Sequence, residues 1–335
     1  MAATSFDALG SHWRTALDAA EDALGTLSRN RRELQLPSDE LQERARLLVR
    51  ERSETEHLLE QVAQLTHARL HRHLTGPRAR PELIGLDGAV RACVFDLDGV
   101  LTASSALHAA SWQETFDPLL ARRHEHSGEA FGPWRPFDPR GDYERYIHGR
   151  PRIEGVHAFL ASRGIRLPEG NPGDPADAET AQGLANRKNA ALQRRLGVDG
   201  VKAFEGSTRF LEVAHEAGLR CAVVSASANT DAILRGAGLA PLVDVVVDGR
   251  SIGREQLAAK PAPDSVLAAC RLLDVPPGSA ATFETTLAGI DAGRAAGVHR
   301  VIGVDRSGRT AVLVRRGADR VVPDLGDLID PVLGD

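Results

Sequence analysis

The sequence is poor in cysteine and in aromatic residues. Its 335 residues include three cysteines, three tryptophans and two tyrosines. Cys93, Cys221 and Cys270 are odd in number and lack C-x-x-C spacing, so neither a disulfide framework nor a thiolate metal site is indicated. We therefore expect three reduced thiols in a cytoplasmic protein, with Cys93 and Cys221 in core strands.

Long hydrophobic segments are also missing. No apolar run approaches the roughly 18–20 residues that a membrane-spanning helix requires. The N-terminal residues lack the basic-then-apolar order of a signal peptide. We expect no association with a membrane.

The chain has no excess of positive charge. It contains 41 Lys and Arg against 46 Asp and Glu, for a net charge of -5, and its pI is about 6.2. This balance argues against nucleic acid as a partner. No G-x-G-x-x-G or P-loop sequence follows a predicted strand, which weakens a dinucleotide or nucleoside-triphosphate fold.

The first 76 residues have helical periodicity and carry no recognisable chemistry. Two leucine-rich stretches are separated at Pro37-Ser38-Asp39-Glu40, a typical helix start with Ser38 as N-cap. We predict an αα-hairpin over 1–76 and a linker over 77–87. Its apolar face needs cover, either from the rest of the chain or from a second copy in a homo-oligomer.

Beyond residue 88 the pattern is that of an α/β domain. Apolar runs predict strands near 89–95, 219–225, 243–247, 280–284, 300–305 and 320–322, with helical segments between them. This alternation predicts a doubly wound parallel sheet. We expect the core to comprise 88–106 and 201–335, with 107–200 inserted after the first strand as a helical cap.

The end of the first strand holds the most informative residues. Asp96 and Asp98 follow the run 89–95 and precede Gly99. Strands of an open α/β sheet bind ligands at their carboxyl ends. Burying two carboxylates so close together costs several kcal/mol (roughly) unless a cation or donors compensate. The alternative is a simple Asp-Gly turn.

Other strand ends and one loop carry matching groups. Ser225 ends the second strand, Lys260-Pro261 begins a later element, and Glu284 ends the fourth predicted strand. Successive strand ends meet at one sheet edge, so these groups should converge. A carboxylate nucleophile, a hydroxyl, an ammonium and a further acid suit phosphoryl transfer.

This order of motifs resembles the haloacid dehalogenase superfamily, and within it the β-phosphoglucomutase group. The resemblance covers about 88–330. It implies that Asp96 is the nucleophile that becomes an aspartyl-phosphate and that Asp98 is the general acid/base. Ser225 and Lys260 would hold the phosphate.

The predicted cap extends the resemblance. His108 and Trp112 have the spacing of residues that meet the sugar. His148-Gly149-Arg150-Pro151-Arg152 is similar to a K-G-x-S-R element, which places Arg152 at a second phosphate. The resemblance adds three further substrate contacts, Lys188, Ser227 and Asn229. Outside the resemblance, His108 and Trp112 are also typical of packed core residues, and Arg152 and Lys188 of solvated faces.

Four positions depart from the family pattern. His148 and Pro151 replace its lysine and serine, and Ala228 stands where mutases have a lysine. Thr285 replaces an aspartate that ligates Mg²⁺ in the family. The resemblance therefore leaves Asp96, Asp98 and Glu284 as the expected ligands of Mg²⁺, with weaker binding because a carboxylate is lost.

Three functions remain open at this point. The first is a mutase that converts a hexose 1-phosphate to the 6-phosphate, which Arg152, Asn229 and Lys188 favour. The second is a sugar-phosphate phosphatase, which Ala228 favours. The third is a catalytically weakened domain that binds phosphosugars or partner proteins, which Thr285 favours.

Overall fold

A computed structural model describes residues 80–127 and 135–329. The predicted hairpin, and its proposed role in self-association, lie outside these residues. Within the described part of the chain, no helix is long and apolar enough to cross a membrane.

Six parallel strands form one sheet in the order β3-β2-β1-β4-β5-β6. All six predicted strands are present, with ends shifted by at most three residues, which confirms the doubly wound parallel sheet. Their bounds are β1 Ala92–Phe95, β2 Arg220–Val224, β3 Val245–Val247, β4 Ala280–Glu284, β5 Arg300–Val304 and β6 Arg320–Val322.

Both faces of the sheet are covered by helices. Along β1, Cys93 and Phe95 point into one hydrophobic cluster, and Ala92 and Val94 into the other. The period-two alternation of a strand explains this, and burial on both faces explains why β1 is apolar throughout. The flanking helices are α4 Glu205–Glu216, α5 Thr230–Gly236, α6 Gly249–Arg254, α7 Asp264–Leu272, α8 Leu287–Ala296 and α9 Thr310–Arg316.

A helical cap is inserted between β1 and β2, as predicted. It contains α1 Ser105–Ser127, α2 Arg152–Ser162 and α3 Ala181–Val198, with a short π-helical turn at Tyr143–Ile147. The cap has its own hydrophobic cluster, in which Phe116 packs on Trp112 and Phe159 with ring centroids 5.1 and 4.1 Å apart. A separate apolar cluster lets the insertion fold as a lobe of its own.

The described part of the predicted linker is packed rather than extended. Residues Pro81–Ile84 form a 3₁₀ turn, and Ile84 and Leu86 are buried in the core beside β1. Prolines suggested a spacer, but the apolar side chains that follow Pro81 belong to the core. None of the three cysteines forms a disulfide, and all three are buried, as expected.

Candidate active site

The acidic turn lies where the strand order changes direction. Asp96 follows β1, and its backbone N–H donates to the carbonyl of Phe283 in β4, at 2.9 Å. Gly99 closes the turn with φ of 87°, a conformation that favours glycine. Since β1 and β4 flank the switch point, this is the crevice in which open α/β sheets bind ligands.

A buried lysine joins two carboxylates beneath the turn. The ammonium of Lys260 lies 3.1 Å from Asp96 Oδ1 and 2.8 Å from Glu284 Oε1, and all three side chains are buried. Burial opposes the charge on Lys260, but the two carboxylates outweigh it and raise its pKa. Burial also raises the pKa of Glu284, against the pull of Lys260. We favour the ionised pair, because one ammonium faces two carboxylate groups at contact distance.

The loop after β2 is held by its own side chains. Ser225 Oγ accepts a hydrogen bond from the N–H of Ser227 at 3.1 Å, and Ser227 Oγ accepts one from the N–H of Asn229 at 3.2 Å. Ser225 and Asn229 are buried. These local bonds hold the loop at the same sheet edge as Asp96.

His108 connects Asp98 to a buried lysine of the cap. Its Nε2 lies 3.7 Å from Asp98 Oδ1, and its Nδ1 lies 3.0 Å from the ammonium nitrogen of Lys188. Asp98 also accepts a hydrogen bond from Ser104. The ring of Trp112 lies under Lys188 at 5.3 Å, within the cap's hydrophobic cluster. These contacts place His108 and Lys188 close to Asp98, the predicted acid/base.

Burial lowers the pKa of Lys188 to about 7, although the charge of Asp98 opposes the shift. The unfolded chain keeps the ordinary pKa of about 10.4, so between these values it binds a proton that the folded protein does not. The free energy of unfolding should therefore rise with pH in wild type relative to Lys188→Met, by up to ~1.4 kcal/mol per pH unit above pH 7. Urea unfolding at pH 7, 8 and 9 measures this slope.

The exposed Lys202 supplies the control for this prediction. Lys202→Met should run parallel to wild type over the same pH range. Parallel curves for Lys188→Met as well would mean that Lys188 keeps its charge in the folded protein.

A second polar network links the cap to the loop after β2. Arg152 Nη1 donates to Asn189 Oδ1 at 2.6 Å, and Asn229 Nδ2 donates to the same oxygen at 3.0 Å. Burial lowers the pKa of Arg152. Two predicted substrate contacts from separate lobes thus meet on Asn189, which sequence reasoning did not single out.

These groups surround one cavity of about 490 Å³ between the cap and the sheet edge. Nine of the predicted site residues line this cavity: Asp96, Asp98, His108, Trp112, Arg152, Lys188, Ser225, Ser227 and Asn229. Lys260 lies behind Asp96, on a small recess of about 20 Å³. Glu284 is 1% exposed, lines neither the cavity nor the recess, and contacts Lys260.

Sequence reasoning also missed a pair at the cap boundary. Glu144 of the π-helical turn is bonded to His148 and to Arg309, which follows β5. The spacing of Glu144 and His148, four residues on a helical turn, could have suggested the first contact. The second joins residues 165 positions apart, which no local pattern indicates.

The oxygen atoms at the acidic turn are of the kind that suits magnesium, but they are few. Asp96, Asp98 and the hydroxyl of Thr285 are hard oxygen donors, the type that Mg²⁺ prefers. A methyl group added to Gly99 would lie 3.4 Å from Thr285 Cγ2 and 3.8 Å from its Oγ1, so Thr285 borders the acidic turn. Yet over 80–127 and 135–329, no three His, Cys, Asp or Glu side chains are grouped to hold a metal ion. Magnesium binding by Asp96, Asp98 and Glu284 therefore stays a prediction.

Comparisons with known proteins agree with the fold. The model of the family described as haloacid dehalogenase-like hydrolase matches residues 90–297. A β-phosphoglucomutase of Mycobacterium bovis is 49% identical over 256 residues, which cover 76% of this chain and 97% of the relative. The structure of CbbY from Rhodobacter sphaeroides in complex with phosphate is 25% identical, with a TM-score of 0.53, over 71% of this chain and 96% of that one.

A parallel α/β sheet with an acidic turn after its first strand and an inserted helical cap defines a class of phosphoryl-transfer enzymes. This chain belongs to the haloacid dehalogenase-like hydrolase family. The resemblance inferred from its motifs is confirmed. It is an enzyme of the phosphomutase and phosphatase type within that family, similar to β-phosphoglucomutases.

Proposed function

We propose that the protein converts a hexose 1-phosphate to the hexose 6-phosphate through a phosphorylated Asp96. The observation that carries this proposal is that one cavity is lined both by the Asp96–Asp98 pair and by a cationic group, Arg152, which is bonded to Asn189. A sugar that carries a phosphate at each end needs the Asp96–Asp98 pair for the reacting phosphate and Arg152 for the other phosphate. The name of the mycobacterial relative, β-phosphoglucomutase, supports the same reaction.

The chain's own residues supply the steps. An oxygen of Asp96 attacks phosphorus and the bond from phosphorus to the sugar oxygen breaks, while Asp98 moves a proton to or from that oxygen. Transfer of the phosphoryl group from Asp96 to the free hydroxyl at the other end of a sugar phosphate regenerates Asp96 and gives a bisphosphate, which reorients in the cavity before the next transfer. Ser225 and Lys260 hold phosphoryl oxygens or orient the nucleophile. Magnesium bound by Asp96 and Asp98 would offset the charge between nucleophile and phosphate.

A substrate panel tests this proposal. The purified protein, with magnesium and a trace of a hexose bisphosphate, is incubated with several hexose 1-phosphates while isomer and free phosphate are both followed. Isomer formed faster than free phosphate supports the mutase. Free phosphate alone would make the protein a phosphatase instead.

Arg152→Ala should separate the two reactions. We expect a loss of about 100-fold or more in kcat/KM for isomerisation but less than about threefold for hydrolysis of a small aryl phosphate, because only the larger substrate uses a second anion contact. Arg166→Ala, an exposed cap arginine, is the control and should change neither rate. Equal losses on both substrates would point to a folding defect.

A phosphatase is the second candidate, because Ala228 lines the cavity without offering a cation.

Thr285 bears on either activity, since an added carboxylate beside the acidic turn should bind magnesium more tightly. We expect Thr285→Asp to lower the magnesium concentration for half-maximal rate by about tenfold and to raise turnover. The measurement is a magnesium titration of activity in both proteins. Wild type that saturates at sub-millimolar magnesium, with no gain in the variant, would contradict the weakened site.

A further inference from the structure

The cap places a histidine on the wall of the cavity with one ring nitrogen bonded and the other unpaired. His148 has a 6% exposed side chain, and its Nδ1 lies 3.0 Å from Glu144 Oε1. Its Nε2 is buried and has no hydrogen-bond partner. Buried polar nitrogens are nearly always paired, so an unpaired one that borders a ligand cavity is available to bond a ligand atom.

His148 also lies close to the reacting carboxylates. It shares the cavity wall with Asp96 and Asp98, and the next residue, Gly149, shares the small recess with Asp96 and Lys260. The backbone turn at Gly149 has φ of 77°, and a methyl group there would lie 3.5 Å from Thr286. This part of the cap therefore sits directly on the loop that follows β4.

The orientation of the imidazole depends on the core. Glu144 Oε2 accepts a hydrogen bond from Arg309 Nη1 at 2.6 Å. Arg309 in turn donates from Nη2 to the carbonyl of Thr285 at 3.3 Å. Glu144 and His148 belong to the cap, and Arg309 and Thr285 to the core. Core residues therefore help to orient the His148 imidazole through Glu144, and they can do so while the cap rests on the core.

The surroundings also favour a charged ring. Burial opposes protonation of His148, but the hydrogen bond and charge of Glu144, with the charges of Asp96 and Asp98, raise its pKa. With Nδ1 directed at Glu144, Nε2–H is the donor that remains. The acceptor that fits here is an oxygen of a phosphoryl group. A charge-assisted hydrogen bond from His148 would offset the repulsion between the phosphoryl group and the two carboxylates.

We propose that His148 is a phosphate-binding residue of the cap: its Nε2–H donates to an oxygen of the phosphoryl group bound at Asp96. Glu144 and Arg309 are the positioning residues that hold the ring in this orientation. The proposal rests on the proposed phosphoryl transfer at Asp96. It adds a contact that links cap closure to recognition of the reacting group.

Binding of inorganic phosphate, measured by calorimetry in the presence of magnesium, tests the contact without turnover. We expect His148→Gln to weaken phosphate binding by about tenfold, the usual loss for a hydrogen bond to a charged group. His148→Lys restores a cationic donor and should stay within about threefold of wild type. His157→Gln is the matched control, since His157 forms a similar pair with Glu169 at 2.9 Å on the exposed face of the cap.

The positioning role has its own readout. Glu144→Gln should weaken phosphate binding by about threefold in the wild-type background and not at all in the His148→Gln background. A purely structural effect of Glu144 would appear equally in both backgrounds. Equal effects would therefore overturn the positioning role.

Unchanged phosphate affinity in a folded His148→Gln, or a wild-type protein that takes up no phosphate, would overturn the His148 contact. The Asp96→Asn variant keeps this failure distinct from failure of the proposed function. An inactive Asp96→Asn alongside an unaffected His148→Gln rejects only the His148 contact. A fully active Asp96→Asn rejects phosphoryl transfer at Asp96 and removes the basis of both.

Discussion

Asp96→Asn is expected to lower the rate of phosphoryl transfer by about 10⁴ while the protein stays folded. An amide does not attack phosphorus as a carboxylate does, and a loss of this size corresponds to ~5.4 kcal/mol of barrier lowering. Asparagine has nearly the same shape, and its oxygen can still accept from Lys260, which lies 3.1 Å from Asp96 Oδ1. Initial rates with a hexose 1-phosphate and a thermal melt measure the two effects.

The exposed acid Asp177 of the cap supplies the control, since Asp177→Asn should leave both rate and melting temperature unchanged. Near-wild-type turnover of Asp96→Asn would show that Asp96 is not the nucleophile. A rate loss accompanied by unfolding would instead assign Asp96 a structural role.

Lys260→Met is expected to affect both stability and activity. The variant leaves Asp96 and Glu284 buried without their shared cation. Removing one partner of a buried pair costs about 3–5 kcal/mol of unfolding free energy. Activity should fall by about 10³ or more, because the ammonium holds Asp96 in place. Urea unfolding and initial rates check the two expectations.

A second substitution separates the causes. Lys260→Met/Glu284→Gln removes a buried negative charge and should recover much of the lost stability without recovering activity. Recovery of activity in the double variant would mean that Lys260 acts only as a counter-ion for Glu284. A single variant as stable as wild type would contradict the ionised pair.

Much of the core fold followed from local patterns. The apolar runs that ended in polar residues predicted all six strands, because a parallel strand buried on both faces is apolar throughout. The helical insertion after β1 was predicted from the long helical stretch of sequence between Asp98 and the next predicted strand. Some local features misled: the prolines at Pro77 and Pro81 suggested a linker, although Ile84 and Leu86 pack in the core. The hairpin, the exact domain boundaries and the cytoplasmic location remain predictions.

The candidate site was predicted less completely. The motifs indicated which residue types should converge, and the cavity is lined by Asp96, Asp98, His108, Lys188 and Arg152. Their roles as nucleophile, acid/base and substrate contacts remain proposals. The motifs did not indicate Asn189, which joins Arg152 to the core loop, because an asparagine beside Lys188 has no distinctive spacing.

The sequence by itself determined the parallel sheet, the acidic turn after β1 and the presence of a separate cap, because hydrophobic periodicity and turn residues act over short stretches of chain. Only the tertiary structure decided that Lys260 joins Asp96 to Glu284, and that Glu144 meets Arg309 from the other lobe. These contacts join residues 24 to 165 positions apart. Their formation depends on how the cap and the helices pack against the sheet, and that packing is the sum of many contacts which no single stretch of sequence contains.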